Sequence, residues 1–240
     1  MNLTTLEERI DKVVSEDMSG NTPGMSLLLT KGRDVLIRKA YGLANLETRE
    51  KITCENQFVI ASNTKQFTCA AIMILKEQGL LDYDEPIERF FPDFPDYRKY
   101  VTIRDMMTHV SGIQEYFEEN KWLNIPDSAT ADTKRMLEII KGFGDLTFKP
   151  RTQYSYCNSS YVMLGNIVEQ LSGMSFGEFL KKNIFQPLGM EHTIAPDYMD
   201  VKGENLTEGY VKDADGNFVK QDYNMALVGY ADGNIQSTVD

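Results

Sequence analysis

Cysteine, histidine, tryptophan and basic charge are all scarce in this chain. Three cysteines (Cys54, Cys69, Cys157), two histidines (His109, His192) and one tryptophan are spread over 240 residues. An odd cysteine count without metal-like spacing excludes a disulfide-dense mini-protein. It predicts reduced thiols and no metal site. Basic residues number 25 against 36 acidic ones, a net charge of -11. Such a surface repels phosphate backbones and anionic lipid, and no run of Lys and Arg makes a local exception. Nucleic acid and membrane are therefore not expected as partners. No apolar run reaches the roughly eighteen residues of a membrane span. The start, Met1 to Ile10, is an amphipathic helix pattern without a basic start and apolar run, so no signal peptide is visible. These absences predict a cytoplasmic protein, with secretion the alternative if a leader has been removed.

What is present is ordinary globular composition: 42% hydrophobic, 25% charged and 10% aromatic. That excludes a disordered tail and a collagen-like rod. At roughly 150 residues per domain, the length fits one large domain or two small ones. A first helix is expected over residues 3–18, followed by a break at Ser19 to Gly24. Met25 to Leu29 and Val35 to Ala40 read as a β-hairpin around Lys31-Gly32-Arg33-Asp34. Ala61 to Gln78 is apolar nearly all round in its middle, which predicts a buried central helix ended by Gly79. Further helices are expected at Thr102–Thr108, Thr130–Lys141, Ser160–Leu171 and Phe176–Asn183. Pro92, Pro95, Pro126 and Pro150 mark long connections, and Glu208 to Lys220 reads as a second hairpin. The order predicts an α+β protein with a mainly helical region inserted into an antiparallel sheet domain. The expected division is 1–60 as the N-terminal part of the sheet domain, 61–195 as the helical domain, and 196–240 as the return toward the sheet.

Two short constellations could carry chemistry. Ser62-Asn63-Thr64-Lys65 places a serine at a helix N-terminus with a lysine one turn on, on the same face. A serine hydroxyl needs a base to take its proton, and a desolvated lysine can be that base. By itself Ser62 reads as a plain helix N-cap rather than a nucleophile, since about one such spacing is expected by chance. Tyr156-Cys157-Asn158 sits in a loop before a helix. A tyrosine beside a lysine can act as a general base, and an asparagine can both donate to and accept from an amide. Alone, Tyr156 is a packed aromatic and Asn158 a cap residue. Gly173-Met174-Ser175-Phe176-Gly177 matches G-x-S-x-G, but a helix and not a strand precedes it. Gly173 fits a helix C-cap, and Ser175 with Glu178 fits a capping box. His109 reads as structural, so a Ser-His-Asp arrangement is not expected.

The ordered set of landmarks is more specific than any piece. Phe58–Lys65, Gly79–Ile87, Phe91–Pro95, Thr102–Ile113, Tyr154–Tyr161, Gln186–Met190 and Gly233–Asp240 together resemble the serine β-lactamase and penicillin-binding protein superfamily. The resemblance is to its class C-like branch, with related esterases and D-aminopeptidases. It implies a β-lactamase/transpeptidase-like fold, with both motifs in the helical domain and no cofactor. It implies Ser62 as the acylated nucleophile, Lys65 and Tyr156 as its proton carriers, and Asn158 as a substrate-binding residue. The middle residue of the tyrosine motif, often serine in that family, is Cys157 here. The family's third motif, Lys or His, one residue, then Gly, is not found after Tyr156. Ser237-Thr238-Val239-Asp240 reads as a capping box opening a helix, so a C-terminally truncated chain is expected. The implied activity is acyl-enzyme hydrolysis of a small ester or β-lactam. The alternatives are a catalytically silent penicillin- or peptide-binding or sensor module, and a D-amino-acid peptidase of cell-wall peptides. Exposed sheet edges predict self-association.

Overall fold

Leu6, Ile10 and Val14 recur every four residues on one face of the first amphipathic run, and the run forms α1 (Leu3–Asp17). The computed structural model describes residues 3–18, 20–116, 133–196, 203, 205–220 and 230–240. Ser19, Pro126 and the first three residues of the helix expected at Thr130 lie outside them. The chain divides into two units, one of Met1–Val59, Lys202–Tyr223 and Gln236–Asp240, the other of Ile60–Val201 and Asn224–Ile235.

The first unit holds α1 and short antiparallel strands. β1 (Met25–Lys31) pairs with β2 (Asp34–Tyr41), with a bulge between Leu29 and Thr30. β3 (Leu43–Asn45) pairs with β4 (Glu50–Lys51). β5 (Phe58–Val59) pairs with β8 (Gln236–Ser237), and β6 (Tyr210–Lys212) with β7 (Phe218–Lys220). Asp11 fastens α1 to β2: it accepts from Lys39 Nζ at 2.8 Å and from Tyr41 Oη at 2.8 Å.

The second unit is mainly helical. It contains α2 (Thr64–Glu77), α3 (Ile103–Met107), α4 (Thr133–Gly142), α5 (Asn158–Ser172), α6 (Phe176–Leu180) and α7 (Gln186–Leu188). The apolar middle of α2 is buried on one face rather than all round: Ala71, Ile72 and Leu75 are shielded from solvent, while Met73 is 49% exposed. They share one core with Ile103, Met106, Ile140 and the α5 run Val162, Met163, Leu164, Ile167 and Val168. Each such large side chain contributes about 1.5–3 kcal/mol by burial. Thr102 with Asp105, and Ser175 with Glu178, form reciprocal capping boxes at the starts of α3 and α6. Gly173 closes α5 in the left-handed region at φ 68°.

Two helix ends differ from the sequence pattern. The expected helix from Ala61 begins as a 3₁₀ turn over Ala61–Asn63, and α2 follows. Ala61 has φ 46°, outside the right-handed helical region, so α2 does not extend back through it. The expected Phe176–Asn183 helix widens into a π turn over Lys181–Phe185 before α7.

Gly165 lets the turn at 230–233 lie directly on α5. A Cβ there would stand 2.3 Å from Ala231 Cβ and 2.6 Å from the Tyr230 ring. Gly165→Ala gains about 1 kcal/mol of helix propensity, but overpacking costs about 1–3 kcal/mol, and Ala231 Cβ cannot swing away. The expected outcome is a net loss of stability, read as a lower urea midpoint at unchanged m-value. A midpoint equal to or above that of the wild type would show that the turn is not in close contact.

Candidate active site

Ser62 is exposed and Lys65 is 6% exposed, although they are separated by one turn. The difference follows from the face each presents. The buried residues Thr64, Lys65 and Thr68 form the α2 face turned toward residues 230–235. Thr64 Oγ1 accepts the Ile235 N–H at 3.1 Å, and Thr68 Oγ1 donates to Ala231 O at 2.5 Å. Between them, Lys65 Nζ donates to Asp232 O at 2.7 Å, to Asn158 Oδ1 at 2.7 Å and to Ser62 Oγ at 3.2 Å. A buried lysine amine is costly unless hydrogen-bonded, and three oxygens lie within hydrogen-bond distance of this one.

Tyr156 reaches the same hydroxyl. Its Oη donates to Ser62 Oγ at 2.6 Å, and its ring centroid lies 4.8 Å from Lys65 Nζ. The His109 ring stacks on Tyr156 at 4.6 Å and lies 5.1 Å from the Tyr161 ring. His109 Nδ1 accepts the Cys157 N–H at 3.1 Å, and His109 is held at φ 59°. Burial, and then the Lys65 charge, push its imidazole below the ordinary value of 6.5. Asn158 opens α5, and its N–H donates to the Glu115 carboxylate at 2.5 Å, a favourable place for negative charge at a helix N-terminus.

The four residues singled out by sequence thus converge in one unit, linked in the order Asn158, Lys65, Ser62, Tyr156 by three hydrogen bonds. Other members of the cluster had no sequence signal that named them. Thr64 and Thr68 read as ordinary helix residues. Asp232 sits in Ala-Asp-Gly-Asn, which reads as a turn, and His109 read as structural. Burial pushes the Cys157 thiol up to about 11, so it stays protonated beside the site, where it donates to Ile113 O. A separate cavity of about 680 Å³, lined by Lys181, Phe185, Gln186 and Met190 among others, includes none of these residues. Among the described residues no cluster of metal-ligating side chains exists, and no helix is long and apolar enough to cross a membrane.

The chain belongs to the Beta-lactamase family, whose model matches residues 10–240. It is 33% identical over 199 residues to penicillin-binding protein 4* of Bacillus subtilis (strain 168), an alignment covering 78% of this chain and 42% of that protein. The chain therefore spans less than half the length of that relative. The octameric penicillin-binding protein homologue of Pyrococcus abyssi superposes with a TM-score of 0.82 at 30% identity, over 100% of this chain and 54% of that one. The D-amino acid amidase of Ochrobactrum anthropi SV3, complexed with L-phenylalanine amide, superposes with a TM-score of 0.78 at 25% identity, over 99% of this chain and 68% of that one. The fold is the α+β fold of β-lactamases and penicillin-binding proteins, and the family is one of serine hydrolases.

The His109 environment predicts a pH dependence of stability. Its folded-state pKa lies below the unfolded value of 6.5, so the unfolded chain binds more protons. The His109 contribution is complete above about pH 6.5 and is lost as pH falls below it toward the depressed folded value. Between about pH 7 and pH 5 the wild type should lose more stability than His109→Gln, measured by urea unfolding. Parallel pH curves for the two proteins would refute this.

Proposed function

We propose that this chain carries the nucleophile of a serine hydrolase that works through an acyl-enzyme on a small carboxylic ester or β-lactam. The supporting observation is that one exposed hydroxyl, Ser62 Oγ, lies within hydrogen-bond reach of both Lys65 Nζ and Tyr156 Oη. In the attack step the Ser62 O–H bond breaks, the proton passes to Lys65 Nζ, and Oγ bonds the substrate's carbonyl carbon. The backbone N–H of Ser62 supplies one donor to the oxyanion. When the tetrahedral adduct collapses, the scissile C–O or C–N bond breaks. The leaving group takes a proton from Tyr156, which recovers one from Lys65. Water then attacks the acyl carbon, its proton goes to the same pair, and Ser62 departs as a hydroxyl. Asn158 holds Lys65 through its oxygen and offers its amide N–H to the substrate.

A second reading, cleavage of a D-amino-acid amide or peptide, draws support from the likeness to the D-amino acid amidase. It uses the same residues. Three free thiols, two of them buried, favour a reducing, cytoplasmic setting. Self-association through sheet edges is in keeping with the octameric homologue, and a monodisperse monomer in light scattering counts against it.

Incubation with a fluorophosphonate, and separately with a penicillin, should give one adduct per chain on Ser62 by intact mass. Ser62→Ala should give none, and Lys65→Ala should slow labelling by about 10²-fold or more. An unlabelled Ser62, in this chain and in any longer product of its gene, sinks the hydrolase reading. An adduct that forms and never turns over favours the binding or sensor module. Release of ammonia from D-phenylalanine amide favours the amidase reading.

A further inference from the structure

We infer that Asp232 and Tyr116 form a buried positioning pair that aims the Lys65 amine at Ser62. The inference rests on the reading of Lys65 as the group that takes the Ser62 proton. As a neutral amine, Lys65 has two hydrogens and one lone pair. Its two shorter contacts, Asp232 O and Asn158 Oδ1 at 2.7 Å each, are to carbonyl oxygens that can only accept. They take the two hydrogens, and the lone pair is left facing Ser62 Oγ at 3.2 Å. The aim is only as good as the placement of those two oxygens.

Asn158 is fixed by its position at the head of α5. Asp232 lies in a turn, where a backbone carbonyl has no helix or sheet to hold it. Its own side chain supplies the anchor. Oδ2 accepts from Tyr116 Oη at 2.7 Å, and Oδ1 accepts the Tyr230 N–H at 2.7 Å. Both partners are sealed from solvent, Asp232 at 5% and Tyr116 at 2% exposure. A carboxyl this deep costs stability compared with an apolar residue, and burial pushes its pKa up. Stability alone gives no reason for an acid here.

The anchoring converges on one short segment. The Tyr116 N–H donates to Ser159 Oγ at 2.8 Å, and Ser159 Oγ donates to Gln114 O at 2.7 Å. Glu115, between them, holds the Asn158 N–H. Residues 114–116 therefore set both oxygens that orient Lys65, one through α5 and one through the Asp232 carboxyl.

The test is fluorophosphonate labelling of Ser62, with maximal rate and half-saturating concentration determined separately. Tyr116→Phe and Asp232→Ala should each lower the maximal rate about tenfold or more, at unchanged half-saturation. Asp232→Asn should restore most of the rate, because its amide can donate to the Tyr116 oxygen while its carbonyl accepts the Tyr230 N–H. The double variant Tyr116→Phe/Asp232→Ala should cost no more than either single change, since the two act as one unit. A purely structural role lowers the melting temperature without this split or this rescue. Maximal rates within about twofold of wild type in folded variants overturn the pair and leave Ser62 as nucleophile standing. If wild-type Ser62 is not labelled at all, the hydrolase reading fails and the pair's role fails with it. Should Asp232→Ala not fold, Tyr116→Phe, which removes a single oxygen, decides.

Discussion

Burying one lysine amine beside an exposed serine is the constraint on which the rest of the second unit turns. A lysine amine buried in a protein must find hydrogen-bond partners for its polar group, or lose several kcal/mol. Here the partners come from three places in the sequence: the 3₁₀ turn at Ser62, the start of α5 at Asn158, and the turn at Asp232. No local motif could supply them. Helix packing has to, and α2 and α5 both contribute to one shielded core.

That arrangement carries backbone strain. Ala61, immediately before the nucleophile, has φ 46°, and His109, stacked on Tyr156, has φ 59°. Neither is glycine, so each costs roughly 1–3 kcal/mol relative to a relaxed conformation. The burial of Ile72, Leu75, Met106 and Leu164 is ample to offset such terms. The strain is placed where it sets direction: Ala61 turns Ser62 outward while Lys65 stays in, and His109 sets a flat ring under the tyrosine.

Most of the fold was legible in the sequence because it rests on periodicity and punctuation. The apolar middle of α2, the α5 pattern ended by Gly173, the capping box at Ser175 and both hairpins are local signals read by local rules. Ser62, Lys65, Tyr156 and Asn158 were legible in a different way. Each matches a cap or a packed aromatic when taken singly, and only their order among the other landmarks separated them from those. Tyr116, Asp232 and His109 were not legible as site residues. Tyr116 and Asp232 are partners across 116 residues of chain, and no propensity or spacing rule spans that distance. Likewise nothing local announces that Gly165 is needed for a turn to approach a helix.

Cys157 shows how the same packing that builds the site also limits it. It is flanked by Tyr156 and Asn158, and a thiolate there would be a stronger nucleophile than any serine. Its side chain, however, points into the core at 3% exposure, and burial holds the thiol protonated well above neutral pH. Its backbone N–H is committed to His109 and its sulfur to the Ile113 carbonyl. Alternation along an extended segment does the sorting: Tyr156 faces out to Ser62, Cys157 faces in, and Asn158 begins the helix that reaches Lys65. A hydroxyl in place of the thiol would meet the same acceptor, so the cysteine is compatible with the chemistry because it is kept out of it.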